Sequence, residues 1–283
     1  MDASELGPYG LFVLMTIVGM ELTVDDFRRV VAAPRAVIGG TLGQLLLLPL
    51  MTWGLVVGLG LAPIFGAGAV LVAVSPGAGI SNVLAAVARA NVALSVTLTA
   101  FASVLAVLTL PTLSALFLGV FLEEAADVEV PVGPLVQQLT FALLIPILVG
   151  MWIRQRWPGF ALRNARRLQR FALLGIGLLV AAAVLLGDQE MSFADAEGAL
   201  LGGLLWTGAA MAIGFGIGTL MRLSPTDRAT FVIEFAARNI AVTTIVALSG
   251  LGRLDLMLFA GAYMTVGYPL CFGFAIWRGR RNP

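Results

Sequence analysis

The sequence has no histidine and no lysine, and its single cysteine is Cys271. No imidazole is therefore available as a general base or metal ligand, and a lone cysteine builds neither a disulfide framework nor a zinc cluster. Cys271 reads as small apolar filler. Charge is also scarce: charged residues make up 12% of the chain, against about 25% in ordinary soluble domains. All 17 basic residues are arginines, nearly all dispersed over separate loops and not clustered into a basic binding patch, so no nucleic-acid partner is expected. The amino terminus is acidic at Asp2 and Glu5 and lacks a basic run, so the first apolar stretch reads as a retained span and not a cleavable signal.

Apolar residues, in contrast, supply 59% of the chain, and the mean hydropathy is +0.99. No charge appears at 36–88, 90–122, 130–153 or 256–277. One crossing needs about 20 apolar residues, so the first of these stretches accommodates two. The pattern predicts an all-α membrane protein with nine transmembrane helices, near 6–22, 37–60, 65–88, 92–119, 134–153, 169–187, 198–221, 228–250 and 255–277. The connections alternate in charge. Arg28, Arg29 and Arg35 follow the first span, and a run from Arg154 to Arg170 follows the fifth. Glu123, Glu124, Asp127 and Glu129 follow the fourth, and Asp188, Glu190, Asp195 and Glu197 follow the sixth, with nothing basic among them. Arginine collects on the cytoplasmic side, and nine spans place 15 of 17 arginines there. The expectation is a multi-pass protein of the inner cell membrane with its amino terminus outside and its carboxyl terminus in the cytoplasm.

Two spans carry polar groups at bilayer depth. The third reads AVSPGAGISNVLAAVARAN from Ala73. Pro76 removes a backbone donor, and Gly77 and Gly79 each weaken a helix by about 1 kcal/mol relative to alanine. Pro76 and Gly77 thus mark a helix break, and broken backbone in a membrane must be buried in protein or face a cavity. A proline kink packed by small residues is the alternative. The eighth span reads TFVIEFAARNIAVTTIV from Thr230, with Glu234, Arg238 and Asn239 in its middle. Intramembrane ionisable groups by default mark a pathway or a pair. Glu234 and Arg238 are four apart, so an unbroken helix would also let them pair within itself, and no Pro or Gly calls for a break there. The two unusual spans are third in spans 1–4 and third in spans 6–9. The quartets cross in opposite senses, as in transporters built from inverted repeats with two crossing discontinuous helices.

The stretch PGAGISNVLAAVARANVALSVTLTAFASVLAVLTLP, Pro76 to Pro111, resembles the bile acid:sodium symporter family, whose pattern there is PGGxxSNxxxxLAxGDxALSxxxTxxSTLxAxxxxP. The upstream VGMELTVDDFRRVVAAPRAV is similar to that family's second helix and following loop. Glu234 to Asn239 resembles its ExGxQN motif with differences. The likeness runs along nearly the whole chain from about Tyr9. It implies a ten-helix fold, or nine where the first helix is absent, divided into panel and core domains. Mapped here, residues 1–30 and 126–190 would be panel, and 31–125 and 191–283 core. It also implies a secondary transporter of a small organic anion, a carboxylate or sterol-like acid, working by alternating access and coupled to a sodium ion, with no other cofactor or metal and with the lipid bilayer as surroundings.

The same resemblance carries a first sodium site onto Ser81, Asn82, Ser95, Thr99 and Glu234. All five bear oxygen, as a hard cation requires, and Ser95 and Thr99 share one helical face. Hydroxyls bonded back to the preceding turn are the alternative for the last two. A second ion site would use Gln44, Glu234 and the carbonyls of Phe235 and Ala237. The family's glutamine, however, is here Arg238, whose guanidinium is always charged and only donates. Two roles are open to it: a fixed positive charge in place of the second sodium, or a bidentate grip on a substrate carboxylate. Substrate contacts fall by resemblance near Gly79 and Asn239, at half-helix N-termini suited to an anion. The family commonly has a hydroxyl-bearing residue where Gly79 stands. Other classes fit less well. A channel would show a repeated filter or charge ring, and an intramembrane enzyme an HExxH, a GxSxG or paired aspartates. A non-transporting sensor or receptor on the same scaffold and a sodium-independent anion transporter remain the competing readings.

Overall fold

The computed structural model describes residues 34–122, 140–164 and 193–281 continuously, and in addition 12–13, 15–25, 28, 133–134, 137, 167–168, 171 and 174. The described residues are helical almost throughout, with one isolated backbone bridge and no strand. Helix α1 is Pro34–Leu59, with a π-turn at Gly43–Leu47. A short apolar α2, Pro63–Val74, is followed by α3, Gly79–Val87, and by the long α4, Val92–Leu122. The fifth expected span is helical as a π-turn at Thr140–Leu144 leading into α5, Ile145–Arg156. After it come α6, Phe193–Leu220, α7, Pro225–Ala236, α8, Ile240–Ile245, and α9, Met257–Arg281. Most of the sixth expected span, 169–187, lies outside the described residues.

Four of these helices, α1, α4, α6 and α9, are long and apolar enough to cross a bilayer unaided. Their outer faces are apolar. Along α1, Leu42, Leu46, Leu50, Trp53 and Val57 recur every three or four residues and all are exposed. That pattern places the greasy stripe outward, the reverse of a soluble helix, because the surroundings are lipid. The inner face of the same helix carries Thr41, Gln44 and Thr52, all buried.

Helix α2 is buried from Phe65 to Val74, packed between α1, α4 and α9. Helices α6 and α7 lie against each other, and α7 also meets α3 and α4. The first described segment, around 15–21, crosses α5 where Gly19 and Gly150 face each other. A Cβ on either glycine would collide with main-chain atoms of the other helix, at Ile147 or Thr16, so the two backbones approach as closely as small residues permit.

Candidate functional site

The interruption after α2 has the causes written in its sequence. Ser75 leaves the helix in an extended conformation, and its hydroxyl donates to Leu71 O (2.7 Å) while sharing a second hydrogen bond with Thr243 Oγ1 (2.7 Å). Pro76, Gly77 and Ala78 then pass through non-helical backbone before α3 begins. The interruption between α7 and α8 falls at Ala237, Arg238 and Asn239, where neither proline nor glycine demands it. The unbroken eighth helix is therefore not what forms.

The two breaks cross and satisfy each other's backbone. Asn239 N–H donates to Pro76 O (3.0 Å), and Ala78 N–H donates to Ala237 O (3.2 Å), so Gly77 and Arg238 form an antiparallel pair. One backbone group at each of the four half-helix ends is thereby paired within the protein. Tyrosine hydroxyls complete the second break. Arg238 N–H donates to Tyr263 Oη (2.9 Å), Tyr263 donates to Ala236 O (2.5 Å), and Tyr268 donates to Arg238 O (2.9 Å). Tyr263 sits in a π-turn of α9, Tyr263–Gly267, which carries its ring inward against the edge of Trp206, with 5.4 Å between ring centroids. Trp206 is fixed in turn by donating to Thr52 Oγ1 at 2.7 Å. Neither tyrosine stands out in the sequence as a site residue. The available signal was that a phenol buried at bilayer depth needs a hydrogen-bond partner.

Glu234 lies in the last turn of α7, fully buried. Its carboxylate accepts from Ser95 Oγ and from Thr99 Oγ1, the latter at 3.0 Å. Ser95 Oγ also lies 2.9 Å from Asn82 Oδ1, and Ser81 Oγ sits 3.2 Å from Thr99 Oγ1 while donating to Ala78 O. Five side chains predicted to act together are thus gathered from α3, α4 and α7. Elsewhere on α4, Thr97, Ser103, Thr109 and Thr112 bond back to the preceding turn, whereas Ser95 and Thr99 turn to the carboxylate. Gly77 makes room for the group: a Cβ there would stand 2.8 Å from Glu234 Oε2 and 3.0 Å from Thr99 Oγ1.

Arg238 is 1% exposed, and its guanidinium donates to a different set of oxygens from that carboxylate. Nη1 donates to Gln44 Oε1 (2.7 Å) and to Glu234 O (3.3 Å). Nη2 donates to Ala73 O (3.3 Å) and to Ser75 O. All four terminal N–H groups are engaged; Nε–H has no partner among the described residues. Among the described residues no direct salt bridge joins Arg238 to the Glu234 carboxylate; the hydrogen bond between the two residues runs to Glu234's main-chain carbonyl. Of the two carbonyls expected at the second site, that of Ala237 accepts from Ala78 N–H, and the neighbouring carbonyl that meets the guanidinium is Glu234's, not Phe235's. Gln44 reaches this place from the π-turn of α1. Gly79 is buried at the start of α3, and Asn239 caps α8 by accepting from Val242 N–H (3.3 Å).

A second polar cluster ties the far ends of the crossing pair. Arg278 donates to Ala88 O (2.5 Å), Arg89 O (3.1 Å) and Pro225 O (2.9 Å). Asn91 donates to Asp227 Oδ1 (2.7 Å) through its amide and to Thr230 Oγ1 (3.0 Å) through its backbone.

A membrane-embedded crossing around a carboxylate and hydroxyls narrows the kinship. Residues 8–192, well over half of the chain, match the model of the Sodium Bile acid symporter family. The chain belongs to the Sodium Bile acid symporter family. It is thus one of a family of membrane transporters, not enzymes. The match to the family model includes the first crossing segment, whereas Glu234 to Asn239 falls beyond it. An uncharacterized sodium-dependent transporter, YocS, of Bacillus subtilis is 29% identical over 81% of this chain and 69% of its own length. The probable sodium/metabolite cotransporter BASS1 of Arabidopsis thaliana chloroplasts is 36% identical over 52% of this chain and 35% of its own. The corresponding BASS2 of Oryza sativa is 28% identical over 86% of this chain. The chain spans 57% of that rice protein, so it covers only part of either plant relative.

Proposed function

We propose that this Sodium Bile acid symporter family member is a secondary transporter that moves a small organic anion with a cation bound at Ser81, Asn82, Ser95, Thr99 and Glu234. One observation carries the reading. Those oxygens cluster around a buried carboxylate at the point where two broken helices cross, and they hold more acceptors than protons. Ser95 has one proton facing both Asn82 Oδ1 and Glu234 Oε1, so one acceptor is left without a hydrogen. A desolvated monovalent cation would satisfy the surplus lone pairs and neutralise the carboxylate together. The names of the relatives, sodium-dependent and sodium/metabolite transporters, agree with sodium as that cation.

The anion would lie near Gly79 and Asn239, where the N-termini of α3 and α8 leave the crossing. Arg238 is less suited to gripping it, because its terminal N–H groups are already occupied. Nine spans, inverted halves, panel and core domains with the boundaries given above, and an outside amino terminus in the inner membrane complete the proposal.

The test is uptake into proteoliposomes of a panel of labelled carboxylates, from short oxo-acids to sterol acids, with and without an inward sodium gradient. Uptake of one class that collapses when the gradient is removed is the expected result. Uptake that ignores the gradient, or saturable binding with no flux, would overturn the coupled-transport reading.

A further inference from the structure

Four oxygens converge at one buried point beside the carboxylate site: Gln44 Oε1 and the carbonyls of Ala73, Ser75 and Glu234. Three of them belong to the last turns of α2 and α7 or the residue just beyond, where carbonyls have no intrahelical partner and the helix dipole is negative. Two helix C-termini and an amide oxygen aimed at the same place form a cage for a cation. In this chain the cage is filled by a guanidinium grown from the protein itself. The tether is short, since Arg238 is part of the crossing and its backbone is pinned by Tyr263 and Tyr268.

We infer that Arg238 is a resident counter-cation of the crossing, and that it reduces by one the number of mobile cations the protein binds. The guanidinium fills the space and uses every cage oxygen, so an ion has nowhere to sit. It also repels a like charge; about 4 Å away in a medium of effective dielectric near 20, this repulsion lowers ion affinity roughly a thousandfold. The inference deepens the cation-coupled reading above and borrows from it the first site at Glu234. It adds a consequence for transport: one mobile cation carried with a monovalent anion moves no net charge, so the cycle would be indifferent to membrane voltage.

Arg238→Gln removes the charge and supplies a fifth oxygen to the same cage. Purified protein in lipid nanodiscs is titrated with radioactive sodium in the absence of any anion, and bound ions per chain are counted at saturation. The variant is expected to bind one ion more per chain than the wild type at saturation. Arg238→Lys keeps a tethered charge and is expected to leave the count unchanged. A folded Arg238→Gln protein with the wild-type count overturns the inference, and so does a wild type that itself binds two ions, a result that needs no variant to fold. The two proposals fail separately. A wild type binding none and an Arg238→Gln variant binding one would sink the Glu234 site and keep the resident cation.

Discussion

Replacing Glu234 by glutamine isolates the charge at the centre of the crossing. The amide has nearly the shape of the carboxylate, and its oxygen and NH2 group still find the hydroxyls of Ser95 and Thr99, which accept as well as donate. Folding should therefore survive within about 1 kcal/mol. The cation loses its neutralising partner. A pair of unit charges about 4 Å apart at an effective dielectric near 20 is worth about 4 kcal/mol, so sodium affinity should fall by up to roughly 10³. The assay is thermal unfolding in nanodiscs, with sodium chloride exchanged for choline chloride at constant ionic strength. A bound ion stabilises the native state by RT ln(1 + [L]/Kd), about 2.7 kcal/mol at a hundredfold excess over Kd. The wild-type midpoint should climb with sodium; the variant's should stay flat at the sodium-free wild-type value or above it. An undiminished sodium-dependent rise in Glu234→Gln would refute the assignment of this carboxylate.

Three further perturbations test the surroundings. Gly77→Ala drives a methyl against the Glu234 carboxylate and the Thr99 hydroxyl; we expect about 1–3 kcal/mol of destabilisation and at least a tenfold (roughly) weaker sodium response, read in the same unfolding assay. Tyr263→Phe strands Arg238 N–H and Ala236 C=O in a dry interior, at about 1–3 kcal/mol each, so its unfolding midpoint should drop further than that of Tyr268→Phe, which strands one carbonyl. Arg278→Gln removes charged donors from Ala88, Arg89 and Pro225; amide hydrogen exchange should speed up in segments 86–91 and 225–228 while α4 stays protected.

What the sequence disclosed follows from which effects are local. The first break was legible because Pro76, Gly77 and Gly79 act on their own turn, whatever surrounds them. The oxygen set around Glu234 was legible as a polar cluster at bilayer depth, and the resemblance named its members. The second break was legible only through the matching place of its span and the family resemblance, not in its own residues. Thr230 to Val246 contains only residues compatible with a helix, and its interruption depends on partners far along the chain, at Pro76, Tyr263 and Tyr268. The π-turns that swing Gln44 and Tyr263 inward carry no sequence signature either, since one extra residue in a turn leaves the apolar pattern nearly intact. The destination of the Arg238 side chain was open for the same reason: four-residue spacing offers the carboxylate, and only the broken geometry offers four converging oxygens.

The undemanded break between α7 and α8 also bears on how the protein is made. A translocon meets Thr230 to Val246 as an apolar segment without Pro or Gly, in which only Glu234 and Arg238 resist entering lipid as one continuous rod. The break is held by partners outside the segment, Pro76 and Ala78 on one side and the tyrosines of α9 on the other, which receive its backbone. Because Tyr263 and Tyr268 follow that segment in the chain, the crossing cannot be completed until they too have been synthesised.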